Sequence, residues 1–488
     1  MTLAETSQQH RIPELCTIDA VPLARMIRAR EVSATDVMTA FLDHIEAVNP
    51  LVNAIVSLRP REDLMAEARA ADEAVSRGDT VGPLHGLPQA IKDLAATKGL
   101  RTSMGSPLFS DWVPEEDAIF VSRMKAAGAI VIGKTNVPEF GFGSNSYNPI
   151  FGLTRNAWDF DRVGGGSSGG AGVSLAMRML PVADGGDMGG SLRNPGAFNN
   201  VIGFRVSQGR VPADGLDSFY GQMAVEGPMG RTVEDVAMLL SVQAGYDARA
   251  PLSLSSPQGW LDGLTARAPG GLKFGWLGDF GGHIPFEDGV LSLTRKAAGL
   301  FEDAGAVVED TSPGFDMDAL WRCFVVLRSQ SIGGRLDQAY RDPARRDLLK
   351  PEAVWEIEMS RTLSPVEIYD AGLVRAAWYK ALLALFDTYD YLLLPAGQVF
   401  PFPADVLWPA EVGGRKMDTY HRWMEVMIGA TLAGLPAVSL PAGFDGRGLP
   451  MGLQVIGKPR GDRDLLELSM LYETLNPWQK MVPPSLTT

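Results

Sequence analysis

Residues 164–195 read GGGSSGGAGVSLAMRMLPVADGGDMGGSLRNP and contain two glycine-flanked serine loops on either side of one helix-like stretch. Ser167 and Ser168 lie in the first loop, and Ser191 lies in the second. Because glycine has no Cβ atom, such loops can take positive φ values and direct several backbone N–H groups at one point. A cluster of this kind can hold the oxyanion of a tetrahedral intermediate, so we expect the chemistry of the protein here.

Short apolar runs surround these loops, including LPQAIKDL at 87–94, GAIVIG at 128–133 and DYLLLPAG at 390–397. Each run has a helix-like segment near it, which predicts an α/β fold with a mixed sheet. Apolar residues spaced by three and four predict helices over 17–77, with Ser33 or Thr35 capping one that ends at Asn49-Pro50. Residues 250–390 are rich in Trp, Tyr and Arg and resemble an added helical layer.

The composition limits the classes of partner. The chain has 488 residues, a net charge of -14 and no Lys/Arg run, so nucleic acid is not an expected ligand. Cys16 and Cys323 are far apart, which argues against a disulfide framework or zinc site and fits the cytoplasm. The start, MTLAETSQQHRIPELC, lacks the pattern of a signal peptide, and no apolar run is long enough for a membrane helix.

The stretch GAIVIGKT at 128–135 matches a phosphate-binding loop pattern letter for letter. A real loop of this type follows a strand and opens a helix. Here the four intervening residues are themselves strand-like, and Pro138 follows too soon for a helix to start without interruption. We therefore reject a nucleotide site and predict a buried strand that ends in a turn.

A serine nucleophile needs a base, and Lys92 is one candidate. If 87–94 is a strand, alternation puts Lys92 on the same face as Ala90 and Leu94. Burial in apolar surroundings would lower the pKa of the amine from about 10.4 toward neutrality, which would make a neutral lysine available. The competing interpretation is a surface lysine at a strand end.

Histidine is the alternative base. The first loop also contains a GxSxG pattern centred on Ser168, as in Ser-His-Asp esterases. His283 and His421 lie downstream, and neither has a distinctive setting. We rank this interpretation below the lysine one.

Seven blocks between residues 82 and 457 together resemble the conserved blocks of the amidase signature family, in the family's order. They are GPLHGLPQAIKD, GKTNVPEF, FGLTRNAWD, GGGSSGGAGV, GGDMGGSLRNP, GLPAVSLPAG and GLPMGLQVIG. The resemblance implies a single α/β domain with a large mixed sheet sandwiched between helices. It comprises an N-terminal helical segment (1–80) packed on a signature domain (81–488), with a variable helical substrate region at about 250–430.

The resemblance also implies a Ser-cisSer-Lys triad of Ser191, Ser167 and Lys92, with Gly166-Ser167 as the cis peptide bond. The backbone N–H groups of residues 188–191 (Met188, Gly189, Gly190 and Ser191) would form the oxyanion hole. Four further residues are expected to support the site or bind substrate, and they are Gly141, Ser168, Asp187 and Arg193. The sequence departs from the common family pattern at Gln89, Gly164, Gly186 and Met188, which leaves substrate choice open.

We therefore expect a cytoplasmic enzyme that hydrolyses a small-molecule carboxylic amide to acid and amine through an acyl-enzyme. The resemblance implies neither a metal nor an organic cofactor, and it leaves a homodimer open. The chain also looks like the glutaminase subunit of glutamyl-tRNA amidotransferase, which shares the fold and triad. Trp, Phe and Met in the 310–430 region favour a small-molecule pocket instead. A protein that binds anions in its glycine loops is the non-enzymatic alternative.

Overall fold

Strands and helices alternate along the chain in a computed structural model that describes residues 9–214, 218–219, 221, 223–256 and 259–487. Residues 1–8, which belong to the start predicted to lack a signal peptide, lie outside this part. The strands are β1 (His10–Arg11), β2 (Ile55–Val56), β3 (Pro88–Lys92), β4 (Ile130–Thr135), β5 (Tyr147–Asn148), β6 (Gly152–Leu153), β7 (Ala183–Asp187), β8 (Ile202–Arg205), β9 (Val225–Gly230), β10 (Lys273–Trp276), β11 (Val307–Asp310), β12 (Tyr391–Pro395), β13 (Glu411–Val412), β14 (Arg415–Lys416), β15 (Ala437–Phe444), β16 (Pro450–Ile456) and β17 (Leu486–Thr487).

The α-helices follow the same order along the chain. They are α1 (Glu14–Thr17), α2 (Ala20–Ala29), α3 (Ala34–Val52), α4 (Arg61–Arg77), α5 (Ile119–Ala126), α6 (Gly169–Ala176), α7 (Arg193–Asn199), α8 (Val233–Gln243), α9 (Val290–Asp303), α10 (Met317–Arg341), α11 (Pro343–Arg346), α12 (Pro351–Thr362), α13 (Pro365–Phe386), α14 (Ile428–Ala433) and α15 (Asp462–Leu475). Within the described ranges, none of these helices has both the length and the apolar stretch that a bilayer crossing requires.

One large sheet organises the molecule. Its eight strands run in the order β11-β10-β12-β16-β15-β8-β9-β7. β10 pairs in parallel with β11 and β12, and the other neighbours pair antiparallel. Helices flank the sheet, with α7 and α9 packed on β16 and α8 on β9. The predicted α/β fold with a large mixed sheet and helices around it is confirmed.

A smaller sheet, in the order β2-β4-β3, carries the segment for which a phosphate loop is rejected. β4 covers 130–135 and is buried along its whole length, so the predicted strand is confirmed. Ser33 caps α3, as one of the two predicted options. The predicted end at Asn49-Pro50 is wrong, because α3 continues to Val52. Leu51 and Val52 are buried in the core, and this burial compensates for the hydrogen bond that proline cannot make.

The stretch predicted as an added helical layer is more than a layer. It contains α9 to α13, but it also supplies β10 and β11 to the large sheet. The apolar positions of short strands such as β10 do not distinguish a strand from a buried helix segment, which explains the difference. A second apolar core lies between α10, α13 and the residues before α14, and it includes Phe324, Trp378 and Trp423.

Candidate active site

Lys92 is the last residue of β3, a strand in which every residue is buried. The lysine is 2% exposed, so the interpretation as a surface lysine is wrong. Its Nζ atom donates to Ser167 Oγ at 2.9 Å and to the carbonyl oxygen of Gly186 at 3.1 Å. The amine from one strand therefore contacts a hydroxyl of the glycine-rich loop 75 residues further along the chain.

Burial changes the protonation of this amine. Desolvation lowers the pKa of Lys92 to about 8, although the carboxylates of Glu226, Asp184 and Asp187 act to raise it. A lysine with this pKa is uncharged in a useful fraction of molecules near neutral pH, whereas an ordinary lysine is not. The direction predicted from the apolar strand is confirmed, and the amine can accept a proton.

The first glycine loop holds Ser167 immediately before α6. Ser167 is 3% exposed, and the peptide bond between Gly166 and Ser167 is cis, as the resemblance implied. Gly141 lies against this serine, since a Cβ atom on Gly141 would be 3.4 Å from Ser167 Oγ. Gly170 packs so closely on the backbone of Asn136 that no side chain would fit there. Close packing of glycines thus fixes the position of Ser167.

The second loop brings Ser191 next to the first. The backbone N–H of Ser168 donates to the carbonyl oxygen of Ser191 at 3.2 Å. Ser191 itself is 6% exposed and precedes α7. Among the hydrogen bonds of these described residues, none joins Ser167 Oγ directly to Ser191 Oγ. The structure therefore brings the two loops into contact, and the last link of the predicted proton path is not formed as a direct hydrogen bond.

The four N–H groups predicted for an oxyanion hole are not equivalent. The N–H of Gly190 donates to Asp187 Oδ1 at 3.0 Å, so its inclusion in the hole needs correction. The N–H groups of Met188, Gly189 and Ser191 donate to no acceptor among the described residues. Gly190 takes a φ of 98°, which favours glycine and lets the loop turn back on the Asp187 carboxylate.

A buried ion cluster supports this loop. Arg193 Nη2 donates to Asp187 Oδ1 at 2.8 Å and its Nε donates to Oδ2 at 3.0 Å, with both side chains inaccessible to solvent. Arg205 Nη1 donates to Asp187 Oδ1 at 3.3 Å. Burial alone would raise the pKa of Asp187, but the two guanidinium groups hold it well below its ordinary value. Asp187 and Arg193, both expected to support the site or bind substrate, thus form a buried pair.

The histidines predicted as alternative bases have other partners. A ring nitrogen of His283 lies 3.3 Å from Glu425 Oε1, and Nδ1 of His421 lies 2.8 Å from Thr419 Oγ1. Ser168 Oγ instead interacts with the backbone N–H and carbonyl of Gly186, at 3.3 and 3.4 Å. The structure thus gives Ser168 a place between the two loops but no histidine partner among the described residues.

Apolar side chains lie beside the second loop. A Cβ atom on Gly189 would be 3.6 Å from Phe324 Cζ and 3.8 Å from Met424 Cε. Arg328 Nη1 donates a hydrogen bond to the sulfur of Met188 at 3.1 Å. The other nitrogens of this guanidinium donate to Glu356 and Tyr420. On this side the loop therefore faces mainly aromatic and thioether groups, together with Arg328, whose charge is paired with Glu356.

Sequence reasoning missed several charged residues around the site. They are Lys134, Asp184, Arg205, Glu226 and Arg328, all of which lie on strands or on α10. Lys134, Asp184 and Arg205 interrupt apolar strand patterns in the sequence. Such a charged residue indicates a buried charge that requires a partner, so these three could have been found. No local pattern marks Glu226 or Arg328, whose partners come from distant parts of the chain.

The chain is similar to known amidases and amidotransferase subunits. The chain matches the family model described as Amidase over residues 36–466. It is 34% identical to a glutamyl-tRNA(Gln) amidotransferase subunit of Moorella thermoacetica, over 96% of this chain and 99% of that protein. The crystal structure of a bacterial aryl acylamidase of the amidase signature family has a TM-score of 0.89 at 28% identity, covering 95% of this chain and 97% of that one.

A solved structure of a glutamyl-tRNA(Gln) amidotransferase subunit from Thermotoga maritima is also similar, with a TM-score of 0.76 and 27% identity. This alignment covers 100% of the present chain and 99% of the other. The matches extend over nearly the full length and include the loops that hold Ser167 and Ser191. The chain therefore belongs to the amidase signature family, as an amidohydrolase.

Proposed function

We propose that the protein hydrolyses a carboxylic amide with Ser191 as nucleophile, Ser167 as proton relay and Lys92 as base. The observation that carries this proposal is the 2.9 Å hydrogen bond between buried Lys92 Nζ and Ser167 Oγ, beside the loop of Ser191. A buried amine of lowered pKa next to two serines is the arrangement that activates a weak hydroxyl nucleophile. Each of the three side chains is at least nine-tenths buried, which restricts competition from water.

Protons move along the three side chains in order. Ser191 Oγ attacks the amide carbonyl carbon while its proton passes to Ser167 and the Ser167 proton passes to neutral Lys92. The negative oxygen of the tetrahedral intermediate accepts hydrogen bonds from the unpaired N–H groups of the second loop. Reversal of the relay protonates the leaving amine and leaves an acyl-enzyme on Ser191. Water then repeats the same steps and releases the acid.

The surroundings of the loop support an amide with an apolar acyl group. Phe324 and Met424 lie beside Gly189, and the sulfur of Met188 contacts Arg328. Apolar groups around a few polar ones are typical of pockets for small molecules. Arg328 is already paired with Glu356, which makes it a poor partner for a carboxylate substrate.

The second candidate is glutaminase activity within a tRNA-dependent amidotransferase. The names of the curated relatives favour it over the small-molecule amidase, because those relatives match nearly the full length of the chain. Both candidates use the same three side chains, and they differ in the acyl group that is bound and in the need for partner subunits.

A substrate panel separates the two. Aryl, alkyl and amino-acid amides, with L-glutamine among them, are incubated with purified wild type and with Ser191→Ala. The proposal predicts release of amine from aryl or alkyl amides that the variant does not catalyse. Ammonia release from L-glutamine alone, above all with co-purifying subunits, would support the glutaminase candidate. Equal turnover by wild type and variant would exclude both.

A further inference from the structure

Glu226 lies against Gly186, the residue whose carbonyl oxygen contacts the lysine on which the proposed mechanism depends. It is on β9, directly opposite Gly186 of β7 in the antiparallel register. A Cβ atom on Gly186 would lie 2.6 Å from Glu226 Oε2 and 3.2 Å from Cδ. The carboxyl group of Glu226 therefore occupies the space that a side chain at position 186 would take.

Gly186 links this carboxyl group to the amine. Its carbonyl oxygen is the second acceptor of Lys92 Nζ, at 3.1 Å. The carboxylate consequently lies next to the residue that holds the amine in place, and the two charges interact. A nearby carboxylate favours the protonated form of a lysine, which is the form that cannot act as a base.

Other charged groups around the pair have partners of their own. Asp184 accepts the backbone N–H of Lys92 at 3.1 Å, and Asp187 is held by its two arginines. On α8, Asp235 accepts the backbone N–H of Val21 at 2.9 Å. The sequence of α6 contains no titratable side chain. Glu226 is thus the carboxylate near Lys92 for which no hydrogen bond fixes the charge among the residues described.

Resting on the proposed function, we propose that Glu226 is a positioning residue that sets the pH at which Lys92 becomes a base. While the carboxylate is charged, it holds the amine in its protonated form. When the carboxyl group takes up the proton or is made neutral, the amine is released from this attraction and can accept the proton of Ser167. The pair therefore acts as one unit that determines the acid limit of activity.

The pKa shifts of Lys92 and Glu226 both agree with this assignment. Burial lowers the pKa of Lys92 to about 8, and Glu226 opposes that fall more than any other group. Burial raises the pKa of Glu226 to about 7, and Lys92 opposes that rise. Because the two values are close, a change in the charge of one group alters the protonation of the other within the physiological range.

The test is the pH dependence of two rates, kcat/KM for the best amide of the panel and the labelling of Ser191 by a fluorophosphonate. Glu226→Gln keeps the shape of the side chain and removes its charge. We expect the acid limb of both profiles to move to lower pH by roughly one unit. Glu226→Asp keeps a carboxylate and should restore most of the wild-type profile. Glu234→Gln, an exposed change in the first turn of α8, is the matched control and should leave both profiles in place.

A second variant moves the same carboxylate without changing its charge. Gly186→Ala places a methyl group against the flexible end of Glu226, so the carboxylate must turn away. We expect a shift in the same direction as for Glu226→Gln, and no additional shift when the two changes are combined. A structural role alone would change the melting temperature and the maximal rate but would not move the pH limb.

The outcomes separate the two claims. Profiles of Glu226→Gln and Gly186→Ala that overlay the wild-type profile would overturn the role of Glu226, whereas the proposed function would stand if wild type were still labelled at Ser191. Absence of label at Ser191 in the wild type would overturn the proposed function itself. An additive shift in the double variant would show that position 186 acts independently of Glu226, which also contradicts the proposal.

Discussion

Two buried lysines lie on adjacent parallel strands, and only one of them faces a serine. Lys92 is on β3 and Lys134 is on β4, where Lys134 pairs with Ile91, the residue before Lys92. Both are at most 2% exposed. Burial lowers the pKa of each amine to about 8. By burial and pKa alone the two lysines are therefore indistinguishable.

Their hydrogen-bond partners distinguish them. Lys134 Nζ donates to the carbonyl oxygen of Ala95 at 2.7 Å and to Thr97 Oγ1 at 2.9 Å. Thr97 Oγ1 in turn donates to that same carbonyl oxygen, so the proton of this hydroxyl is directed at the backbone. Lys92 donates to Ser167, which lies in the loop beside Ser191. A lowered pKa makes a lysine able to accept a proton, and the neighbouring hydroxyl decides whether that ability serves chemistry.

The largest loss of activity is expected from substitution of Ser191, the proposed nucleophile. Ser191→Ala removes the attacking oxygen and should lower kcat by about 10⁴-fold or more, as loss of a nucleophile does in other serine hydrolases. Ser168→Ala is the matched control in the neighbouring loop, and it should change kcat by less than roughly tenfold because it loses only weak contacts with Gly186. Steady-state assays measure both. A Ser168 variant as inactive as the Ser191 variant would favour the esterase alternative.

A matched pair of substitutions tests the two lysines directly. Lys92→Met should lower kcat/KM by about 10²- to 10⁴-fold, since it removes the base. Lys134→Met makes the same chemical change on the adjacent strand and should leave kcat/KM within a few-fold of wild type. Each variant removes one donor from two buried acceptors and should lose about 1–3 kcal/mol of stability. Activity is normalised to the folded fraction measured by thermal unfolding.

Equal losses of normalised activity in the two lysine variants would contradict this distinction. Full activity in Lys92→Met would remove Lys92 from the mechanism altogether. Retained activity in Lys134→Met together with a lower melting temperature is the expected result.

The smallest effect is expected from the carboxylate beside Lys134. Asp93 is fully buried and accepts the N–H and the hydroxyl of Ser103, at 3.1 and 2.5 Å. Asp93→Asn should lower stability by about 1–3 kcal/mol, because a donor replaces part of an acceptor pair. It should leave the acid limb of kcat/KM where it is, in contrast to Glu226→Gln. A shift of that limb would mean that the two lysines are coupled.

Local patterns predicted the parts of the site that depend on neighbours in sequence. The short apolar run at 87–94 placed Lys92 on a strand, and Asp187 and Arg193, expected to support the site, form a buried pair in the structure. The rejected phosphate loop is a strand for the same reason, since an apolar β-branched run favours extended backbone. These features follow from periodicity and from contacts a few residues apart.

Other parts require the folded chain. Glu226 meets Gly186 only through strand pairing across 40 residues of sequence, and no local pattern marks this register. The capture of the Gly190 N–H by Asp187 depends on how a glycine loop turns, which glycine's wide φ range leaves open. The role of β10 and β11 in the large sheet was missed because short apolar runs fit strands and buried helices equally well.

The most direct test of the role of Lys92 is the rate and position of labelling by a fluorophosphonate in wild type and Lys92→Met. Peptide mass spectrometry identifies the labelled serine, and the time course gives the rate. We predict a phosphonate on Ser191 in the wild type and labelling slower by about 100-fold or more in the variant. Label on Ser168, or an unchanged rate in Lys92→Met, would contradict the assignment of nucleophile and base.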